Sequence, residues 1–174
     1  MALKSDYATQ ECSIARTLEV IGERWTLLLL RDCFLGLRRF SDFQRHLGIP
    51  KAVLTARLET LVEAGVLERH EYRAGRHEYL VSEKGLDLWP ALHALNRWGN
   101  ENLSPDGPRS YYLHAECGSL LEAGGFCAKC RRLPGPAEVE YRPGPGRARK
   151  PGPPEPVEQA LRNGHRLLEP LVLD

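Results

Sequence analysis

The stretch that decides the fold runs from Ser41 to Val81 and reads SDFQRHLGIPKAVLTARLETLVEAGVLERHEYRAGRHEYLV. Its first part predicts a short helix with Ser41 as the N-cap and a stop at Gly48. Pro50 suits the first turn of a second helix, which Gly65 ends. After Gly65 the apolar residues change from helical spacing to short β-prone runs, which predict strands.

The second helix has two different faces. Apolar side chains at i, i+4, i+7 and i+8 predict one buried stripe, formed by Leu54, Leu58, Leu61 and Val62. The opposite face carries small and polar side chains, which allow a helix to enter a DNA major groove and reach base edges. We predict that these side chains contact DNA: Lys51, Ala52, Thr55 and Ala56.

A hairpin follows the second helix. The runs 66–73 and 76–81 are joined by Ala74-Gly75, in which the glycine supplies the turn. Around this tip lie three side chains that we predict to reach a neighbouring minor groove or phosphates: Arg73, Arg76 and His77.

Two predicted helices, 12–21 and 24–34, precede this stretch, and another begins at Ser82 and is expected to kink at Pro90. Two helices, a short helix, a tight turn, an amphipathic helix and a hairpin form the layout of a winged helix-turn-helix. We therefore predict a mostly helical α+β fold, with a DNA-binding domain over residues 1–103, to which the resemblance given below adds dimerisation. The alternative is an α+β domain with ordinary exposed charges.

Further basic residues accompany the short helix, and we predict phosphate contacts for Arg38, Arg39 and Arg45. Arg57 has two interpretations. It either pairs with Glu59 or Glu63, or contacts a phosphate.

Composition limits the function classes. The chain of 174 residues has 24 Lys and Arg against 23 Asp and Glu, so bulk charge favours no partner. The hydrophobic fraction of 42% is typical of a globular protein. No apolar run approaches the length of a membrane span, and residues 1–10 lack a signal-peptide pattern, so we expect a cytoplasmic protein.

The residues of this region resemble the HxlR-type winged helix-turn-helix regulators. The resemblance covers about residues 12–103 and rests on Cys12, Gly22–Trp25, Arg39–Ser41, Leu54–Leu58, Leu61, Gly65–Arg69, Tyr79, Gly85, Pro90 and Trp98–Gly99. It implies a bacterial transcription factor that binds operator DNA as a homodimer. The wing tip is shorter than the Pro-containing tip usual in that family.

The resemblance also implies a dimer interface built from the first and last helices. Carried over to this sequence, it gives an interface role to Ile14, Leu18, Leu88, Leu92, Leu95 and Trp98. Core packing is the alternative role for these side chains.

The five cysteines are too few and too unevenly spread for a disulfide framework. Cys12 stands where some members of the resembled family carry a sensor cysteine, and a helix N-terminus favours its thiolate. Packing at the dimer interface is its other interpretation. Cys33 lies in an apolar helix and is expected in the core.

The remaining cysteines predict a zinc site. His114-x2-Cys117 followed by Cys127-x2-Cys130 has the spacing of a structural, tetrahedral zinc site, with one ion per chain. Free thiols in a loose tail are the alternative. We assign the Cys/His segment to residues 104–133.

Pro and Gly are frequent over residues 131–156, which predicts a mobile linker or tail. A short helix broken near Gly164 is expected in the last stretch, 157–173. Residues 134–174 are therefore interpreted as a Pro/Gly-rich tail with a short terminal helix.

These observations predict a sequence-specific DNA-binding transcriptional regulator. We expect a repressor that binds a palindromic operator as a homodimer and responds to an oxidant or a small-molecule effector. The alternative is a winged-helix interaction module with a structural zinc site and no DNA binding. An enzyme is not expected, because the sequence has no paired-carboxylate motif, phosphate loop or nucleophile elbow.

Overall fold

The computed structural model describes residues 7, 10–147 and 154–173. The winged-helix part consists of α1 (Ser13–Ile21), α2 (Thr26–Phe34), α3 (Phe40–Leu47), α4 (Lys51–Glu63), β1 (Leu67–Arg73), β2 (Arg76–Val81), α5 (Glu83–Leu86) and α6 (Trp89–Asn102). The C-terminal segment adds β3 (Ser110–His114), β4 (Val139–Pro143), α7 (Pro156–Ala160) and β5 (His165–Arg166). The predicted mostly helical α+β fold with a winged helix-turn-helix is confirmed.

The turn between α3 and α4 depends on a glycine. Gly48 ends α3 with a φ of 63°, a conformation that side chains disfavour. Its amide donates to the Gln44 carbonyl, which closes the last turn of the helix. The stop predicted from the sequence is therefore the stop observed.

Three local predictions need correction. Ser41 lies inside α3, and the N-cap is Arg39, whose extended backbone bridges to Glu78 of the wing. Strand pairing thus decides where α3 begins. Pro50 is the N-cap of α4 and does not lie in its first turn. The single helix expected to kink at Pro90 is instead two helices, because α5 ends at Leu86 and α6 begins at Trp89.

One hydrophobic core joins both parts of the chain. In the winged-helix part it is built from fully buried leucines and phenylalanines, among them Leu29, Phe34 and Leu54. It continues into the C-terminal segment through Val139 and Leu167. The boundaries expected at residues 103 and 133 stay predictions.

The C-terminal segment forms an antiparallel sheet in the order β3-β4-β5. Tyr112 pairs with Tyr141 and His114 with Val139, so β4 is the central strand. The prediction of a mobile linker is therefore wrong for residues 139–143. Pro143 is the last residue of the strand, which leaves the pairing intact. Within the Pro/Gly-rich run, residues 148–153 lie outside the described residues.

After α7 the chain returns to the winged-helix part. A short helix, α7, is present near the C-terminus, but after Gly164 the chain forms the two-residue strand β5 and then a turn in which Leu168 has a φ of 67°. Leu168 donates its amide to the Phe34 carbonyl, and Leu171 donates to Gly36. A Cβ on Gly36 would lie 1.8 Å from the Glu169 carbonyl oxygen, so the close approach requires glycine there.

Within the described ranges, no helix is long and apolar enough to cross a membrane.

Candidate DNA-binding surface and metal site

Helix α4 presents the two faces that its sequence predicts. Leu54, Leu58 and Leu61 are buried, with at most 1% of each side chain exposed. On the other side Lys51 and Ala52 are exposed. Farther along the helix Thr55 and Ala56 are half-buried, as is Val62 of the expected stripe. The first turn of α4 is therefore its most accessible part.

The wing and the start of α3 lie side by side. Arg73 pairs with Arg76 across the turn, and the Gly75 amide donates to the Glu71 carboxylate at 2.7 Å, which fixes the tip. The Arg39 guanidinium lies 4.9 Å from the centroid of the Tyr72 ring, a cation–π contact. Arg39, Arg76 and His77 line one groove of about 400 Å³. The structure thus brings these three predicted site residues together.

The other predicted phosphate contacts differ in their surroundings. Arg45 is exposed, whereas Arg38 is half-buried and donates from Nη2 to the Leu168 carbonyl at 3.0 Å. The Arg57 Nη1 atom lies 3.7 Å from the Glu23 carboxylate. The expected pairing of Arg57 with Glu59 or Glu63 is therefore wrong, because α1 and α4 pack together and bring the more distant Glu23 closer.

Large apolar side chains are exposed on the first and last helices of the winged-helix part. The exposed fractions are 70% for Ile14, 40% for Leu18, 52% for Leu95 and 57% for Trp98. Core packing within one chain does not account for these four side chains. Leu88 and Leu92 are half-buried and pack against the core.

Two cysteines of the winged-helix part occupy opposite environments. Cys12 is an exposed free thiol and is the N-cap residue of α1, not part of its first turn. Cys33 is buried, and burial raises the pKa of its thiol well above the usual value. The expected core position of Cys33 is confirmed.

The four predicted zinc ligands lie together. The ligand atoms of His114, Cys117, Cys127 and Cys130 are all within 4.8 Å of one another. The Cys117 sulfur lies 3.3 Å from His114 Nδ1 and 3.5 Å from the Cys127 sulfur. His114 ends β3, and the three cysteines lie on the turns that follow it, although the two pairs are separated in sequence.

Two left-handed residues form the turns that carry the cysteines. Gly118 follows Cys117 with a φ of 69° and donates its amide to the His114 carbonyl. Arg131 follows Cys130 with a φ of 55° and donates to the Cys127 carbonyl. A non-glycine residue in this conformation is uncommon and marks a backbone that its surroundings constrain.

The chemistry of the cluster fits a metal that prefers sulfur and nitrogen ligands. The cysteines are free thiols, so no disulfide competes for the sulfurs. Hydrogen bonds from Ser119 lower the pKa of Cys117 to about 6, whereas the hydrogen bond with Cys117 raises the pKa of Cys130 to about 11. A metal ion would hold all three sulfurs as thiolates and remove this competition for protons.

The second nitrogen of His114 has its own partners. Arg132 Nη2 lies 3.0 Å from His114 Nε2 and 2.6 Å from the Glu138 carboxylate. The ion pair with Arg132 lowers the pKa of Glu138 to about 2. These contacts fix the imidazole so that Nδ1 faces the sulfurs.

A buried charged cluster escaped the sequence-based analysis. Asp32 is completely buried in α2, where Arg31 donates to its Oδ1 at 2.6 Å. His46 of α3 lies 3.8 Å from the same oxygen and 2.8 Å from the Glu155 carboxylate. The only signal in the sequence was the Arg31-Asp32 pair inside an otherwise apolar helix. The cluster connects α2 and α3 to the C-terminal segment.

Comparison with known proteins agrees with this geometry. The model of the HxlR-like helix-turn-helix family matches residues 20–107. The chain is 43% identical over 137 residues to the HTH-type transcriptional regulator Rv3095 of Mycobacterium tuberculosis, covering 77% of this chain and 87% of that protein. It is 30% identical over 102 residues to the HTH-type transcriptional regulator YdeP of Bacillus subtilis, covering 55% and 80%.

Solved structures give the same result. The transcription factor PA1607 is 34% identical, with a TM-score of 0.59 over 71% of this chain and 94% of that one. The reduced form of the redox regulator HypR is 29% identical, with a TM-score of 0.50 over 53% and 94%. Together with the family match and Rv3095, these likenesses show that the chain belongs to the HxlR-like helix-turn-helix family of DNA-binding transcriptional regulators.

Proposed function

We propose that this protein is a repressor that binds a palindromic operator as a homodimer, with the first turn of α4 in the major groove. The observation that carries this proposal is the burial of Leu54, Leu58 and Leu61, which leaves Lys51 and Ala52 exposed. Thr55 and Ala56 continue the same face, and the groove between α3 and the wing adds Arg39, Arg76 and His77. Exposed Arg45 and Arg73 extend this basic surface, with Arg38 and Arg57 at its margin.

A mobility-shift assay tests the proposal directly. The full-length protein is titrated onto the DNA that flanks its own gene, over a series of salt concentrations. We expect retardation that weakens as salt rises, because phosphate contacts release counterions. Lys51→Ala should weaken binding, whereas Arg162→Ala, on the exposed surface after α7, should not. Absence of retardation at low salt would favour the interaction module without DNA binding.

Dimerisation is the second element of the proposal. The exposed apolar side chains of α1 and α6 supply a surface that water disfavours. In helix-turn-helix dimers, two such helices bind half-sites about one DNA turn apart, which fits a palindromic operator. Sedimentation analysis should give a dimer for the wild type and a monomer for Leu95→Glu/Trp98→Glu. A wild-type monomer at micromolar concentration would refute this interface.

We also propose one structural Zn²⁺ per chain at His114, Cys117, Cys127 and Cys130. The support is the convergence of the four ligand atoms within 4.8 Å. Four protein ligands leave no open position for catalysis, which fits a structural ion and a protein that is not an enzyme.

A redox response through Cys12 is the last element. Its exposure and its place at the start of α1 support it, and the relative HypR is a redox regulator. Packing against a second chain is the competing role. An oxidant should weaken operator binding of the wild type and leave Cys12→Ser unaffected, and equal responses would assign Cys12 to packing.

A further inference from the structure

A large cavity lies between α2, α6 and the C-terminal segment, away from α4 and the wing. Its volume is about 660 Å³. That volume is within the range of sites that hold small organic molecules. None of the functions assigned above uses this space, although its walls come from both parts of the chain.

Positive charge dominates the polar part of the cavity. Arg31, Arg109 and Arg147 line it, and Glu158 is the one carboxylate among the described lining residues. Arg147 is already bound, since Nη2 lies 3.4 Å from Glu158 and Nη1 donates to the Tyr141 hydroxyl at 3.1 Å. Glu158 balances Arg147 and Asp32 balances Arg31, which leaves Arg109 as the arginine of the described lining without a carboxylate partner.

Two of these arginines have donors to spare. Arg31 binds the buried Asp32 carboxylate through Nε and Nη2, which holds its guanidinium in place and leaves Nη1 without a partner among the described residues. Within the same ranges, the guanidinium of Arg109 makes no hydrogen bond, while its backbone amide is held by Asn100 at 3.0 Å. The fixed guanidinium of Arg31 and the exposed guanidinium of Arg109 are planar donors, which suit a carboxylate.

The rest of the wall is apolar and aromatic. Trp25, Leu28, Tyr112 and Leu161 line the cavity together with the arginines. Burial raises the pKa of the Tyr112 hydroxyl, so this ring presents a neutral surface at physiological pH. A ligand that fills this space has an apolar body beside its negative charge.

Gly99 of α6 also lines the cavity. Glycine in a helix destabilises it by about 1 kcal/mol relative to alanine. A Cβ at Gly99 would meet no atom of the described residues within 4 Å, so no contact among them requires the glycine. The space beside it remains available to a ligand.

We propose that this cavity binds an apolar organic anion, a carboxylate on a planar hydrocarbon body. The charge meets Arg31 and Arg109, and the body packs against Trp25, Leu28 and Tyr112. The cavity also contacts His46 and Leu47 at the end of α3, so an occupant touches the helix that precedes α4 as well as α6. Control of operator binding by this ligand rests on the function proposed above, whereas binding itself does not.

Calorimetry on the full-length, zinc-loaded protein tests the site without DNA. The probe is 2-naphthoate, and the neutral 2-naphthamide has the same shape without the charge. We expect saturable binding of one naphthoate per chain and at least about tenfold weaker binding of the amide, because hydrogen bonds to a charged group are the stronger ones. Absence of saturable binding, or equal affinities for the two molecules, would overturn the proposal.

Variants separate this site from general surface charge. Arg109→Gln should weaken naphthoate binding about tenfold, while Arg97→Gln, in α6 but paired with Glu101 and outside the cavity lining, should not change it. Gly99→Leu should fill the cavity and abolish binding, with Gly99→Ala as its control. Equal losses in Arg109→Gln and Arg97→Gln, or full binding by Gly99→Leu, would refute the site. A separate mobility-shift assay of operator DNA, with and without naphthoate, then tests whether the ligand changes DNA binding.

Discussion

The winged-helix part, Ser13–Asn102, and the C-terminal segment, residues 110–147 and 154–173, are held together by different means. The first buries many leucines and phenylalanines between helices that follow one another in sequence and one hairpin. The second has fewer buried apolar side chains, and its central strand β4 pairs with strands distant in sequence. Hydrophobic burial accounts for the first part, whereas we expect the second to depend also on the Cys/His cluster and on its docking onto α2. Different substitutions should therefore unfold the two parts: loss of the Cys/His cluster the second, and loss of buried leucines the first.

The largest effect is expected from loss of the metal ligands. Cys127→Ser/Cys130→Ser removes two of the four ligands, so the zinc content should fall from about one ion per chain to none. Metal binding and folding are coupled in segments with small cores, so the C-terminal sheet should unfold. Elemental analysis gives the ion content, and limited proteolysis should cut the variant within residues 110–147 while leaving the winged-helix part intact.

Cys12→Ser is the matched control for this variant, because Cys12 is exposed and far in sequence from the cluster. It should retain its zinc and its resistance to protease. A metal-free double variant as resistant as the wild type would mean that the segment folds by hydrophobic burial alone, and the contrast between the two parts would disappear.

A smaller effect, on the stability of the whole winged-helix part, is expected from truncating a side chain in its core. Leu54→Ala creates a cavity in the core of the winged-helix part, where the side chain is 0% exposed. Such truncations lower the free energy of unfolding by about 2–5 kcal/mol. Urea denaturation followed by circular dichroism measures the loss, and zinc content should stay unchanged in the folded variant.

Leu95→Ala serves as the control, since 52% of that side chain is exposed. The truncation at Leu95 should lower the free energy of unfolding less than the truncation at Leu54, because it leaves no cavity in the core. Equal losses at the two positions would show that burial within one chain does not set the stability of this part.

The same contrast explains how much the sequence predicts. The winged-helix elements follow from apolar spacing and glycine stops, and the predicted second strand has the bounds of β2. Strand β4 was missed because its partner β3 is remote in the chain, and Pro and Gly around it suggested a linker. The Arg57–Glu23 pair and the start of α3 at Phe40 were missed for the same reason. Contacts between residues distant in sequence determine both features, and local sequence patterns do not reveal such contacts.

The candidate sites also divide into those that local sequence patterns predict and those that they do not. Spacing alone predicted the four residues of the Cys/His cluster, because their x2 gaps are local. The cavity and the Asp32–His46–Glu155 cluster join residues from distant parts of the chain, so no local pattern marks them.

A third prediction separates two adjacent arginines at the border of the two parts. Arg39 is exposed beside the wing, whereas Arg38 is bound to the Leu168 carbonyl of the C-terminal segment. Arg39→Gln should therefore reduce the slope of log affinity against log salt by about 0.9, the effect of one lost phosphate contact. Arg38→Gln should leave the slope unchanged.

The measurement is a filter-binding titration at several salt concentrations with each variant and the wild type. Thermal unfolding provides the second readout. Arg38→Gln should lower the melting temperature because the Leu168 carbonyl loses its donor, while Arg39→Gln should change it less. If Arg38→Gln reduced the salt slope and Arg39→Gln lowered the melting temperature, Arg38 would contact DNA and would not hold the C-terminal segment.

The smallest effect concerns the pH dependence of stability at Asp32, which lies where α2, α3 and the C-terminal segment meet. Burial raises the pKa of this carboxyl above its usual 3.8, and the attraction of Arg31 and His46 only partly offsets that rise. The folded protein therefore binds the proton more tightly than the unfolded chain does. The resulting stabilisation is complete below the usual pKa and is lost as pH rises through the raised pKa.

Asp32→Asn removes this titration while keeping the shape of the side chain. The free energy of unfolding of the wild type relative to Asp32→Asn should thus fall as pH rises from 4 to 7, by about 1.4 kcal/mol for each unit of raised pKa. Urea denaturation at each pH measures it, with Asp106→Asn as the exposed control. A difference that grows with pH would mean that Arg31 outweighs burial, and the carboxylate would then belong to the ionic contacts that hold the C-terminal segment in place.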